Sequence, residues 1–118
     1  MRHQKGNKKL GKPTDQRIAL LRTLVVSLVE FKKITTTDTR ASEAQRFVER
    51  LITLSKKGDL HSRRIALSLL PNKSAVSELF KTIGPKFSSR NGGYTRVTKL
   101  GFRRGDAAPV SLLEFVEQ

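Results

Sequence analysis

Residues 90–109, RNGGYTRVTKLGFRRGDAAP, set Arg90, Arg96, Lys99, Arg103 and Arg104 among glycines at 92, 93, 101 and 105. Guanidinium groups bind phosphate through paired hydrogen bonds, and lysine acts on it as a point charge. Glycine lets backbone N–H groups come close to an anion. The only acid in the stretch is Asp106, and its aromatics are Tyr94 and Phe102. This combination suits backbone that approaches a polyanion. Tyr94 is a candidate for stacking on an unpaired base or packing in the core, whereas Phe102 is expected to pack against the helices with Val97 and Leu100.

Other chemistry is poorly supplied. His3 and His61 lie in unrelated segments, and there is no cysteine, so neither a thiolate metal site nor a disulfide can form. No G-x-x-x-x-G-K-[ST] phosphate loop occurs, and no acid–base pair or metal-ligand spacing is evident. The expectation is a non-catalytic protein without a cofactor or metal, and the absence of cysteine fits a reducing compartment.

Lys and Arg number 24 against 10 Asp and Glu, a net charge of +14 with a pI near 11 over 118 residues. Such a balance favours binding to nucleic acid. Outside residues 90–109 the cations gather in four places. Residues 1–13 (MRHQKGNKKLGKP) carry Arg2, His3, Lys5, Lys8, Lys9 and Lys12 without an acid. With one aliphatic residue, Leu10, this segment has nothing to build a core from and is expected to be an extended basic arm. Arg17 and Arg22 follow on the first helix. Arg46, Arg50 and Lys57 line up with Thr53 along one face of the second helix, suiting either a solvated face or an RNA-facing row. Arg63 and Arg64 begin the third.

These groups need a scaffold, which residues 14–118 are expected to supply as one globular domain. Thr14 or Asp15 caps a first helix running to about residue 31, whose wide apolar stripe predicts the central helix of the fold. That apolar run is too short and too charged to span a membrane. KITTT predicts a short strand. Asp38 is expected to cap a second helix that Gly58 ends, with Ala44, Phe47, Val48, Leu51 and Leu54 as its core stripe. Asp59 caps a third helix. Pro71-Asn72 breaks the chain, and a fourth helix is expected to stop at Gly84-Pro85. Residues 86–93 are expected to form a polar loop. Residues 94–102 and 110–116 predict a hairpin, with a bulge near Gly101 reconciling two phases of alternation. The fold class is α+β: a two-layer α/β arrangement in the order α-β-α-α-α-β-β, with a small three-stranded mixed sheet.

Four segments, in order, carry a resemblance: MRHQKGNKKLGKP, KKITTTDTRASE, LITLSKKGDLHSRR, and GPKFSSRNGGYTRVTKLGFRRGDAAPVSLLEFVE. They resemble the bacterial large-subunit ribosomal protein seventeen family across nearly the whole chain, most specifically in the MRH start and the GGYTR…K…RRGD…AP block. The resemblance implies a cytoplasmic ribosomal component that binds ribosomal RNA and adjoins other large-subunit proteins, with no membrane, small-molecule substrate or homo-oligomer. Carried over by position, Arg2, His3, Lys5, Lys8, Lys9, Arg90, Tyr94, Arg96, Arg103 and Arg104 would lie against RNA. The alternative class is a non-specific DNA-compacting basic protein, which would accept any duplex.

Overall fold

The apolar period of the second helix produces α2, Asp38–Lys57, and this helix is the one the rest packs around. The computed structural model describes residues 14–116. Along α2, Ala41, Ala44, Val48, Leu51, Ile52 and Ser55 are buried, with Phe47 and Leu54 partly covered beside them. By contrast α1, Thr14–Phe31, buries only Val25, Leu28 and Val29, all in its C-terminal half. The expectation that α1 is central is corrected. Its stripe is wide, but full burial is confined to its last turns, and Ile18 stays exposed. None of the described helices is long and apolar enough to cross a membrane.

Helix ends follow local chemistry. Thr37 is the N-cap of α2, in extended conformation without a side-chain cap bond. Asp38 is therefore the first helical residue, and its carboxylate instead accepts a hydrogen bond from Ser111 Oγ at 2.8 Å. Gly58 closes the helix in the left-handed region at φ 72°, where a Cβ would be strained. Asp59 caps α3, Leu60–Leu69, by accepting from the Ser62 amide at 2.8 Å. Asn72 does the same for α4, Lys73–Glu78, through the Ala75 amide at 2.9 Å.

Gly84-Pro85 does not end this last helical segment. The chain passes from α4 through a π-helical turn, Leu79–Ile83, into the short α5, Gly84–Lys86. Proline is tolerated there because it sits in the first turn of the new stretch, where its missing N–H costs least. The glycine serves close packing. A Cβ at residue 84 would lie 2.6 Å from Ser55 Oγ and 2.9 Å from Ser55 O on α2.

Three strands make one sheet in the order β1-β3-β2: β1 is Lys33–Thr37, β2 is Thr95–Phe102 and β3 is Pro109–Phe115. Both pairings are antiparallel, so the expected mixed sheet is corrected. The last strand inserts between the first two, and the parallel relation falls between strands that are not neighbours. Ile34, Leu113 and Val97 lie in one cross-strand row, and Leu113 is fully buried. The register of β2 slips between Lys99 and Gly101, the bulge expected from the two phases.

Phe87, expected within a polar loop, is fully buried. Its ring centre lies 5.4 Å from that of Tyr94 and 6.4 Å from that of Phe115, joining the end of the helical layer to both hairpin strands. Burying a phenyl ring stabilises the fold by roughly 1.5–3 kcal/mol relative to leaving it in water.

Replacing Gly84 by alanine should destabilise the protein by about 1–3 kcal/mol, since overpacking forces α2 and the π turn apart. Removing the Ser55 hydroxyl as well should recover only part of that loss, because the Ser55 carbonyl remains in the way. Urea unfolding of the two variants checks both outcomes.

Candidate nucleic-acid interface

The basic hairpin is fixed to α2 at its root. Thr95, the first residue of β2, donates its amide to Glu49 Oε2 at 2.8 Å and its hydroxyl to the same oxygen at 2.6 Å. Gln45 Nε2 donates to the Thr95 carbonyl at 3.3 Å. One turn or two further along α2, Lys56 Nζ donates to the Arg90 carbonyl and, at 2.9 Å, to Tyr94 Oη. Its ammonium also lies 4.9 Å from the centre of the Tyr94 ring. Lys56, absent from the expected interface, therefore binds the strand entry into place.

This geometry reverses the two aromatics. Tyr94 is 4% exposed, with its ring against Phe87 and its hydroxyl bound to Lys56. Its face is taken up by the core, so the expected RNA contact of its ring is not supported. Phe102 is 77% exposed and Leu100 is 56% exposed, so neither holds the hairpin to the helices; Val97 is half-buried and does. The reason is reach: beyond the Lys99–Gly101 slip the hairpin extends past the residues of α2 that cover its root.

At the far end, the turn is held by its own charges. Arg103 makes a two-pronged pair with Asp106, Nε to Oδ1 at 3.1 Å and the terminal nitrogen to Oδ2 at 2.5 Å. Asp106 Oδ1 also accepts from the Ala108 amide at 3.2 Å. The Arg103 guanidinium beside it, and then that amide, hold the Asp106 carboxyl down at about 2. Backbone bonds from Arg103 N to Ala108 O and from Ala107 N to Arg103 O complete the loop. Gly105, at φ 92°, supplies the turn that other side chains disfavour.

The expected cations divide by what they touch. Arg96 pairs with Glu114 across the strands at 3.0 Å. Arg90 donates to the Gly93 carbonyl at 3.3 Å. Arg22 Nε donates to the Leu69 carbonyl at 2.8 Å, and the Arg63 guanidinium lies 5.4 Å from the centre of the Phe80 ring. The side chains of Arg50, Arg64, Lys99 and Arg104 make no hydrogen bond or ion pair with any described residue. The α2 row of Arg46, Arg50 and Lys57 is exposed along its length. Arg2, His3, Lys5, Lys8, Lys9 and Lys12 lie outside the described residues.

Two concave regions gather cations from separate segments. Arg17 and Arg22 of α1 meet Arg46 and Arg50 of α2 around an open groove of about 470 Å³, floored by Ile18, Leu21 and Phe47 and carrying one acid, Glu43. Thr37, Thr39 and Arg40 at the start of α2 meet Arg103 of the hairpin turn around a second, of about 300 Å³. Arg40 was not expected; its signal was a cation in the first turn of a helix, where the dipole disfavours it unless an anion is near. Among the described residues no group of three His, Cys, Asp or Glu comes together to hold a metal.

Residues 20–116 match the protein family described as ribosomal protein L17. The chain is 51% identical over 118 residues to the large ribosomal subunit protein bL17 of Pelobacter propionicus, covering all of this chain and 93% of that one. It is 54% identical over 111 residues to the bL17 protein of Clostridium botulinum, covering 94% and 98% of the two chains. The bL17 protein of Geobacter metallireducens is 49% identical over 118 residues, and the chain spans 66% of its length.

Glu49→Ala should destabilise the protein by about 1–3 kcal/mol, because it leaves the Thr95 amide and hydroxyl without an acceptor. Chemical denaturation measures the loss, and Glu49→Gln should restore part of it. At the turn, carboxyl NMR should find Asp106 titrating near 2 and moving toward ordinary aspartate values in Arg103→Gln. Since Asp106 titrates lower folded than unfolded, its pairing favours the closed turn above the unfolded value, and that contribution is lost as pH falls through about 2.

Proposed function

We propose that this chain, which belongs to the ribosomal protein L17 family, is a structural constituent of the large ribosomal subunit that binds and stabilises ribosomal RNA, and so works in the cytoplasmic ribosome with other large-subunit proteins beside it. The role is non-catalytic, in keeping with the family. The RNA-facing parts are the basic arm of residues 1–13, the arginine groove between α1 and α2, and the far turn of the hairpin. Residues 14–118 act as one domain that presents them.

The observation that carries this reading is where the acids go. Glu49 is spent on Thr95, Asp38 on Ser111, Asp59 on the cap of α3, Glu78 on Lys32, Glu114 on Arg96 and Asp106 on Arg103. Ten acids cannot balance 24 cations wherever they sit, and these six are engaged within the fold, so the +14 surplus is left to be neutralised from outside. A polyanion does that, and release of its condensed counterions drives the binding. Arg50, Arg64, Lys99 and Arg104 reach phosphates directly, while Arg17, Arg22, Arg46, Lys57, Arg63, Arg90 and Arg96 line the same basic surface. Folded RNA fits better than duplex DNA because clefts and a protruding turn read shape and loops, whereas none of the described helices is set to enter a major groove.

Sedimentation of a lysate tests the reading: the chain should travel with the large subunit at physiological salt, and a chain that runs free overturns it. Affinity for deproteinised large-subunit RNA should fall linearly with the logarithm of salt concentration and exceed affinity for duplex DNA of equal length. Equal affinity for any duplex supports the DNA-compacting alternative instead. Deleting residues 2–12 should leave the melting temperature nearly unchanged while impairing incorporation into subunits.

A further inference from the structure

Phe102 is 77% exposed, more than any other large apolar side chain among the described residues. It has no ring or cation partner among them. It stands at the end of β2, opposite Pro109, just past the register slip. Lys99 comes before it and Arg103 and Arg104 follow it. Lys99 and Arg104 have no acid partner, and Asp106 is held by Arg103. Around it the surface is open, for a Cβ on Gly101 or Gly105 would meet nothing within 4 Å.

We propose that Phe102 is a stacking platform for an unpaired nucleobase of RNA, with Lys99 and Arg104 holding the phosphates on either side. This rests on the RNA-binding reading above and names what the hairpin tip recognises. An aromatic face takes any base, and nearby cations track the backbone that carries it. A protein partner would favour a different surface, since the centre of such an interface is depleted of charge. The tip is also prepared for its ligand. The Arg103–Asp106 pair and the backbone bonds of Arg103 to Ala107 and Ala108 fix the turn beforehand, so little ordering is left for the moment of binding.

The chain contains no tryptophan, so Phe102→Trp makes the ring the sole indole, excited selectively beyond the absorption of tyrosine. Saturating deproteinised large-subunit RNA should quench its emission strongly, because a stacked base quenches indole. Heparin, a polyanion without bases, should bind the same variant and leave the emission nearly unchanged. Phe102→Leu, apolar but not aromatic, should weaken RNA binding roughly 5- to 150-fold while keeping heparin affinity and melting temperature. Emission unquenched at RNA saturation overturns the proposal, as does a leucine variant that binds RNA like the parent. An unquenched reporter whose emission moves to the blue on incorporation into large subunits shows a protein covering the ring, and overturns it too. These results, with the parent chain still binding RNA, sink this inference alone; a parent that does not bind RNA sinks the broader reading with it.

Discussion

A single carboxylate oxygen on α2 takes both the amide and the hydroxyl of Thr95, and the position of the hairpin follows from it. Glu49 belongs to the helix that every other layer packs against. Thr95 is where the chain enters β2. With Gln45 on the Thr95 carbonyl and Lys56 on Arg90 and Tyr94, one side of α2 holds the whole approach to the strand. The contact is polar and partly buried, so it fixes register as well as adding stability; a slip by one residue would leave Glu49 facing the wrong backbone group. The exposed end of the hairpin is aimed by this root.

The same economy governs the charges. A chain with so large a cationic excess would relieve most repulsion by spreading its acids evenly. It places Glu49, Asp38, Asp59 and Asp106 instead at a strand entry, beside the central strand, at a helix cap and in the hairpin turn, where each closes a local hydrogen-bond need. Lys99 and Arg104 at the hairpin tip are left without an acid. Binding a polyanion then relieves a strain that folding does not.

Much of this was legible in the residues. Ala44, Val48 and Leu51 recur at helical spacing and are buried, Gly58 sits at a left-handed helix end, and the slipped alternation around Gly101 is a bulge. Each of these is decided by neighbours a few positions away. What was not legible depends on distant parts of the chain. Phe87 sits among polar residues in sequence, and only the arrival of Tyr94 and Phe115 makes its place a core. In sequence Tyr94 stays open between stacking and the core and Phe102 is expected to pack, and only the contacts with Phe87 and Lys56 show that Tyr94 is the covered one. The width of the α1 stripe promised a central helix, but full burial reaches only Val25, Leu28 and Val29 in its C-terminal half. Of the candidate interface, the identity of the cations was evident early. The meeting of Arg17 with Arg50, or of Arg40 with Arg103, needed the fold.

The central position of β3 has a consequence for how the molecule comes together. β1 and β2 do not touch, so each has a hydrogen-bonded neighbour only through Pro109–Phe115. β1 is made early in synthesis and β3 last. The helices can form as they emerge, from contacts close in sequence, but the sheet must wait for a strand more than seventy residues downstream of β1. Until then Lys33–Thr37 is an open edge, and three consecutive threonines keep that waiting strand soluble. The hairpin tip, where the proposed RNA contact lies, acquires its fixed direction in the same closing step.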